Sequence, residues 1–260
     1  MKLSAYVFGL AIMATGFVDL VFGAFDPAEQ PIQAFGDHVF GARFFACVIG
    51  IVLVVAGALV LNRRTARYGA PAIAVCYGLF AFFNFPRFIT APIALGFHPS
   101  VYLSVLGGVC QNLIVIGAAC MLLSNSFQEP AGNPGLDPYV RSIFGASAIV
   151  FGTNHLLSMR GSVPFVPAWM PFGPVFWVAL TGVAFISAGI AFIIRKADVL
   201  AARLMALMLL VFSVFTLLPF LFASPKMEGN WGANVYNIVA AASVWILSDW
   251  MAKSRDGISA

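Results

Sequence analysis

"FGLAIMATGFVDLVFG" at residues 8–23 and "FGASAIVFGTNHLLSM" at residues 144–159 decide how this chain is read. Each is a long apolar run with a few polar residues set into it, and the two agree in register. Phe8-Gly9 falls on Phe144-Gly145, Gly16 on Gly152 and Asp19 on His155. The agreement continues downstream. "GIVLVVAGALV" (50–60) lies on "GVAFISAGIAF" (182–192), which pairs Gly50 with Gly182 and Ala56-Gly57 with Ala188-Gly189. Basic residues follow both runs, as Arg63-Arg64 and Arg195-Lys196. "GGVCQNLIVIGAA" (107–119) resembles "WGANVYNIVAAAS" (231–243), with Asn112 paired to Asn237. Glycine, polar and basic positions recur in the same order, which argues for an internal duplication.

The chain has 260 residues, of which 61% are apolar and only 9% charged. Soluble domains carry about 25% charged residues, so the composition predicts an integral membrane protein. A helix needs about 20 mostly apolar residues to cross the hydrocarbon core. Eight spans are expected, near residues 3–24, 43–61, 70–90, 101–123, 139–158, 174–194, 198–222 and 232–251. The first reads as an uncleaved span, because its apolar core runs past any signal-type cleavage site. Sheet alternation is absent, so a barrel is not expected.

With eight spans the basic residues sort by side. Lys2, "NRRTAR" (62–67), "RKADVLAAR" (195–203), Lys253 and Arg255 share one face, and Arg43, Arg87, Arg160 and Lys226 share the other. The positive-inside rule then puts both termini in the cytoplasm of a bacterial inner membrane. The polar stretch "SNSFQEPAGNPGLDPY" (124–139) is the place for a linker. The expected organisation is a first four-helix unit over 1–123, a cytoplasmic linker over 124–138 and a second unit over 139–260. An even number of spans per unit makes the repeats parallel, with a pseudo-axis along the membrane normal. The fold class is all-α and polytopic, with eight transmembrane helices as two parallel four-helix repeats.

Asp19 is the charge set into the first span. An ionisable group at the bilayer centre costs roughly 2.5–3.5 kcal/mol on the insertion scale, and less near the interface. Asp19 and its match His155 therefore mark a position that faces protein or water. Possible partners on the expected outer side are Asn84, Arg87, Gln111 and Asn112 in the first unit. The second unit offers Asn154, Arg160, Tyr236 and Asn237, and His38 and His98 stand in loops. Asp19 with Arg87 is the favoured pair, since opposite charges at similar depth offset each other's burial. These residues read either as a ligand pocket or as ties between helices. No comparable polar set is read in the cytoplasmic half.

Other chemistries find little footing. The cysteines Cys47, Cys76, Cys110 and Cys120 lie in apolar runs without redox or zinc spacing. No two of the three histidines share a helix face, so neither metal nor haem is expected. Phosphate loops, a nucleophile-elbow motif and basic–aromatic patches for nucleic acid are all missing. The 26 phenylalanines, dense in "GLFAFFNFPRF" (78–88), suit either lipid-facing packing or a quinone tail. Trp169, Trp177, Trp231 and Trp250 fall near span ends, where an interfacial belt is expected.

Over 151–193 the chain resembles the DoxX family of four-helix membrane proteins. The resemblance rests on Gly152-x-x-His155, "FVPAWMP" (165–171), the W-x-x-L-T-G-V-A of 177–184, and a small-residue Ala-Gly before a basic loop. It implies a four-helix bundle per unit and an association with membrane redox systems, for instance as a subunit of a thiosulfate:quinone oxidoreductase. Family members often carry a glutamate after "GVA", where this chain has Phe185. They often carry an F-P-A-N-like stretch in the third helix, where "VFTLLPFLFA" (214–223) lacks the asparagine. The family's fourth-helix glutamine is best matched by Asn237, or by Gln111 in the first unit.

The leading expectation is a quinone-interacting subunit working with a membrane or periplasmic redox partner. Asp19, Arg87 and His155 would hold a quinone head group, and Gln111, Asn112 and Asn237 would supply hydrogen bonds. A scaffold that anchors a partner protein is one rival. A small-solute transporter is another, although no Gly/Pro-broken helix pair is read at matching places; Pro86 and Pro219 come closest.

Overall fold

The computed structural model describes residues 2–25, 41–127 and 135–256, and all regular structure there is helical. The first half contains α1 (Leu3–Phe22), α2 (Ala42–Val60), α3 (Ala66–Phe83), α4 (Arg87–Leu95) and α5 (Pro99–Ser126). The second contains α6 (Asp137–Leu157), the one-turn α7 (Met159–Ser162), α8 (Pro174–Ile194), α9 (Asp198–Phe212), α10 (Leu218–Ala223) and α11 (Glu228–Asp256). Local chemistry sets several boundaries. Gly23 ends α1 in the left-handed conformation (φ 61°), and its N–H caps the Asp19 carbonyl. Pro99 and Pro174 open α5 and α8, where a missing N–H costs no helical bond.

Among the described residues, seven helical stretches are long and apolar enough to cross a membrane. They are α1, α2, α3, α5, α8, the run Asp198–Ala223 and α11 up to Ser254. The chain is thus an all-α, multi-pass membrane protein. The span expected at 139–158 is α6, which has 21 residues but is not one of the seven. Asp137, Arg141, Asn154 and His155 lower its hydropathy. Helices α5 and α6 also reach into the expected linker 124–138, whose residues 128–134 lie outside the described ones.

The third span of each half is irregular at matching places. In the first half, α3 stops at Phe83, a turn occupies 84–86, and α4 starts at Arg87. Pro86 has no N–H to continue the helical ladder, and the Arg87 N–H bonds the Asn84 carbonyl at 3.1 Å. In the second half, α9 passes into a π-helical turn, Ser213–Leu217, before α10 with its Pro219. This corrects the expectation that no broken pair stands at matching places.

The packing order is the same in both halves. Helix α1 packs on α2, α2 on α3 and α3 on α5; likewise α6 packs on α8, α8 on α9 and α9 on α11. Between the halves, α1 meets α11, α5 meets α6, and α5 meets α11. The centre is therefore α5 and α11. Their apolar windows are 67% and 61% buried, against 33% for α2 and for α8. On the perimeter, Leu10, Val21, Ile51, Leu180 and Leu204 turn outward and are exposed, as a surface against lipid tails requires.

Two tight crossings rest on glycine. A Cβ on Gly57 would come 2.6 Å from the Gly9 carbonyl oxygen, one on Gly50 2.8 Å from that of Gly16, and one on Gly16 would strike that of Gly50. Helices α6 and α8 repeat the arrangement. A Cβ on Gly189 would lie 2.5 Å from the Gly145 oxygen, one on Gly182 3.1 Å from that of Gly152, and one on Gly152 would strike that of Gly182. Without side chains at these points the backbones approach closely, which is how membrane helices gain packing when water offers no hydrophobic drive.

Candidate functional site

Polar contacts fix which helix ends meet. Lys2 pairs with Asp249 at 3.3 Å, Ser4 donates to Asp249 at 2.7 Å, and Lys253 donates to Asn125 at 3.4 Å. The starts of α1 and α6 and the ends of α5 and α11 thus share one end of the bundle, here the near end. The far end holds a cavity of about 530 Å³ between α4, α5 and α6.

Each wall of that cavity has its own character. Helix α4 contributes Arg87, with Ala91 and Leu95 one and two turns on. Helix α5 contributes Ser100, Ser104 and Gln111, with Val101 and Val105 between them. Helix α6 and the residue after it contribute Phe151, Asn154, His155 and Ser158. Gly107 and Gly108 leave the α5 backbone uncovered. Polar groups and apolar surface face each other across one space.

Second contacts hold the polar groups in place. Arg87 Nη1 donates to Asn84 Oδ1 at 2.8 Å, and the buried Asn84 Nδ2 donates to the Phe80 carbonyl at 3.0 Å. His155 Nδ1 lies 2.8 Å from the Phe151 carbonyl. That oxygen can only accept, so Nδ1 carries the proton and Nε2 of the neutral ring is the basic nitrogen. The His155 ring also stacks near Phe185, with centroids 5.4 Å apart. Asn154 Oδ1 accepts from Ser158 at 3.0 Å and from Ser104 at 3.4 Å. No hydrogen bond from Asn154 Nδ2 or from the Gln111 amide is found among the described residues, so both amides are available to a ligand.

The other expected site residues lie elsewhere. Asn112 is buried and donates to Gly108 O of its own helix at 3.0 Å. Asn237 Nδ2 donates to the Leu209 carbonyl at 2.5 Å and to Ser213 Oγ at 3.0 Å. Asp19 is buried where α1 crosses α2, its Cβ beside Gly50, and does not line the cavity. Tyr236 is half-buried on α11, which packs on α1. His98 is an exposed residue just before α5, and His38 lies outside the described residues.

The near end overturns the expectation that it has nothing comparable. Arg141 Nε donates to Asp137 Oδ2 at 2.8 Å, and its Nη1 pairs with Asp198 Oδ2. Arg195 reaches Asp137 at 3.2 Å, and Trp250 Nε1 donates to Asp137 Oδ1 at 3.1 Å. Asp198 Oδ1 also caps the Val199 N–H at 2.8 Å. Arg141, Asp137 and Asp198 are all buried. Trp250 is buried too, so it belongs to this network and not to an interfacial belt; Trp169 and Trp231 remain exposed. The i,i+4 spacing of Asp137 and Arg141 is a sequence signal for one arm. The other arm joins residues 57 apart and has no local signature.

No family model, curated protein or solved structure matches the chain.

Proposed function

We propose that this chain binds the head group of a quinone in its far-end cavity and serves as the quinone-interacting subunit of a membrane oxidoreductase. The observation that carries the reading is the cavity itself. At about 530 Å³ it falls in the range of small-ligand sites, roughly 300–1,000 Å³, with few polar groups set against apolar wall. The residues fit a quinone. Arg87, Gln111 and Asn154 offer donors to carbonyl oxygens, and Ala91, Leu95, Val101 and Val105 offer surface to a ring and tail. A bound quinone would supply two-electron, two-proton redox chemistry. The chain's own part is to orient the head group through Arg87 and the two amides, and to take a proton at His155 Nε2. The DoxX resemblance points to the same chemistry.

The proposal includes α6 as an eighth span and a tandem of two four-helix units. The paired glycine crossings, the matched packing order and the irregular third spans support this. With eight spans, the positive-inside rule would put both termini in the cytoplasm and the cavity at the outer face of a bacterial inner membrane.

The test uses protein purified in mild detergent. A stoichiometric quinone in its organic extract is expected, together with saturable binding of added quinone that Arg87→Gln weakens about tenfold or more. If no quinone is extracted and none binds, the reading fails and a scaffold role for a partner protein leads. One observation favours a second reading. Helix interruptions at matching places of two repeats are a feature of secondary transporters, and both third spans have one. Solute uptake by proteoliposomes in the absence of any quinone would favour that reading.

A further inference from the structure

We infer that Gly107 and Gly108 of α5 select a flat ring: the head group lies face-down on bare helix backbone at these two residues. This rests on reading the cavity as a quinone site and adds how the ring is held and which residues choose it. A glycine inside a helix weakens it relative to alanine, so each one calls for a reason. Elsewhere in the bundle the reason is a protein neighbour. Further along the same helix, a Cβ on Gly117 would lie 2.8 Å from the Phe144 ring, and the glycines of the α1–α2 and α6–α8 crossings face a partner's backbone. Gly107 has no such neighbour, for a Cβ there meets nothing within 4 Å. A Cβ on Gly108 meets only the Asn84 side chain, with Oδ1 at an ordinary contact distance of 3.5 Å. Both glycines line the cavity.

Burial separates Gly107 from glycines that are merely open. A Cβ on Gly78 or Gly161 also meets nothing. Gly78 is half-buried, however, Gly161 is exposed, and neither lines the cavity. Gly107 is buried within α5, so the space before it is the cavity itself. What the missing side chains leave room for is therefore the occupant.

The surface on offer suits a ring face. Helix α5 runs unbroken through both glycines, so their backbone groups are spent on the helical ladder. The Gly108 carbonyl takes a second donor as well, Asn112 Nδ2 at 3.0 Å. Two residues without side chains thus present a low, shallow surface whose contact is apolar. A flat ring meets it at van der Waals distance, about 3.5–4.0 Å, over the whole face. A puckered ring carries hydrogens above and below its mean plane and loses part of that contact. Phe151 and His155 line the α6 wall of the same cavity, and such rings also favour a flat face, at centroid separations of roughly 4.5–7 Å.

The experiment compares two tail-matched probes on the purified protein. One is 2,3,5-trimethyl-6-decyl-1,4-benzoquinone, whose ring is flat; the other is the cyclohexane-1,4-dione of the same skeleton, whose ring is puckered. Both carry two carbonyls, so the polar groups of the cavity meet the same acceptors. Expected is binding of the quinone at least about tenfold tighter than the dione. Gly107→Ala should weaken the quinone about tenfold or more and shrink its lead over the dione. Its melting temperature should stay the same or rise, because the methyl meets no protein atom and alanine favours the helix. Gly108→Ala repeats the test at the neighbouring position, and Gly78→Ala, away from the cavity, should leave both affinities unchanged. Quinone binding at full strength by Gly107→Ala and Gly108→Ala overturns the inference while leaving the quinone reading intact, as does equal affinity of the unaltered protein for the two probes. Loss of affinity together with a lower melting temperature in both variants also overturns it, since the glycines would then serve packing. If the unaltered protein binds neither probe, or the dione alone, both readings fall.

Discussion

Asn237 shows how a polar residue within the bilayer can serve structure. Side chains of a neighbouring helix can tie an irregular turn in place where the bilayer offers no water, even though its carbonyls keep backbone partners: Leu209 O accepts the Ser213 N–H and Ser213 O accepts the Leu218 N–H. Asn237 and Asn234 of α11 supply the donors, to the Leu209 and Ser213 carbonyls and to Ser213 Oγ. Asn237→Leu is therefore expected to destabilise the protein by about 1–3 kcal/mol, read as a lower melting temperature in detergent, with quinone affinity unchanged. A loss of affinity without a loss of stability would return Asn237 to the ligand site. Arg141 makes the complementary case at the near end. At the matching positions of the first half stand Ala5 and Ala66, both buried, so the architecture does not need a charge there. Removing one member of a buried ion pair costs about 3–5 kcal/mol, whereas replacing the whole set by apolar residues is often neutral. Arg141→Met alone should lower the melting temperature strongly. Adding Asp137→Leu and Asp198→Leu should restore most of it, and failure to do so would mean that the charges carry the fold.

At the scale of helices, the glycine crossings invite a direct comparison. Gly16 and Gly152 face a partner's backbone, whereas nothing lies within 4 Å of a Cβ placed on Gly78 of α3. Gly78→Ala should be neutral or stabilising by up to about 1 kcal/mol through helix propensity. Gly16→Ala and Gly152→Ala should instead cost about 1–3 kcal/mol, because a methyl group forces the backbones apart. Equal melting temperatures for all three would show that the crossings are loose. These glycines were visible in the sequence as a repeated pattern, and the helices followed from apolar length. Their meeting points were not visible, since spacing along one helix says nothing about which neighbour it faces. Pro86 announced the break between α3 and α4. The π turn had a weaker marker, since Ser213, Thr216 and the nearby Pro219 set it apart from α9 but do not specify a π-helical ladder. Four of the nine expected site residues, Arg87, Gln111, Asn154 and His155, line the cavity. They come from helix ends that the matched register had already placed on one side. Asn112 and Asn237 read the same in sequence but face carbonyls, and only tertiary geometry tells the two cases apart.

For the molecule as a whole, the number of crossings decides the arrangement. Arg64 and Lys226 are exposed in turns outside the long helices. If α6 crosses, Arg64→Cys and Lys226→Cys should react with a membrane-impermeant maleimide from opposite faces. Labelling of both from one face would mean that α6 does not cross. The near-end ion network adds a consequence for biogenesis. Helix α6 leaves the ribosome carrying Arg141, and Asp198 follows 57 residues later. At about 5–20 residues per second, roughly 3–11 s pass before the second carboxylate is made. Until then α6, the long described helix that falls short of the apolar length of a span, has only Asp137 to offset its arginine, so it should dwell at the insertion machinery until α9 arrives. Nascent chains halted before residue 198 should accordingly show α6 poorly inserted, and chains extended through α9 should show it fully inserted. The second half would then enter the membrane as one cooperative unit, while the first, free of such a debt, would enter helix by helix.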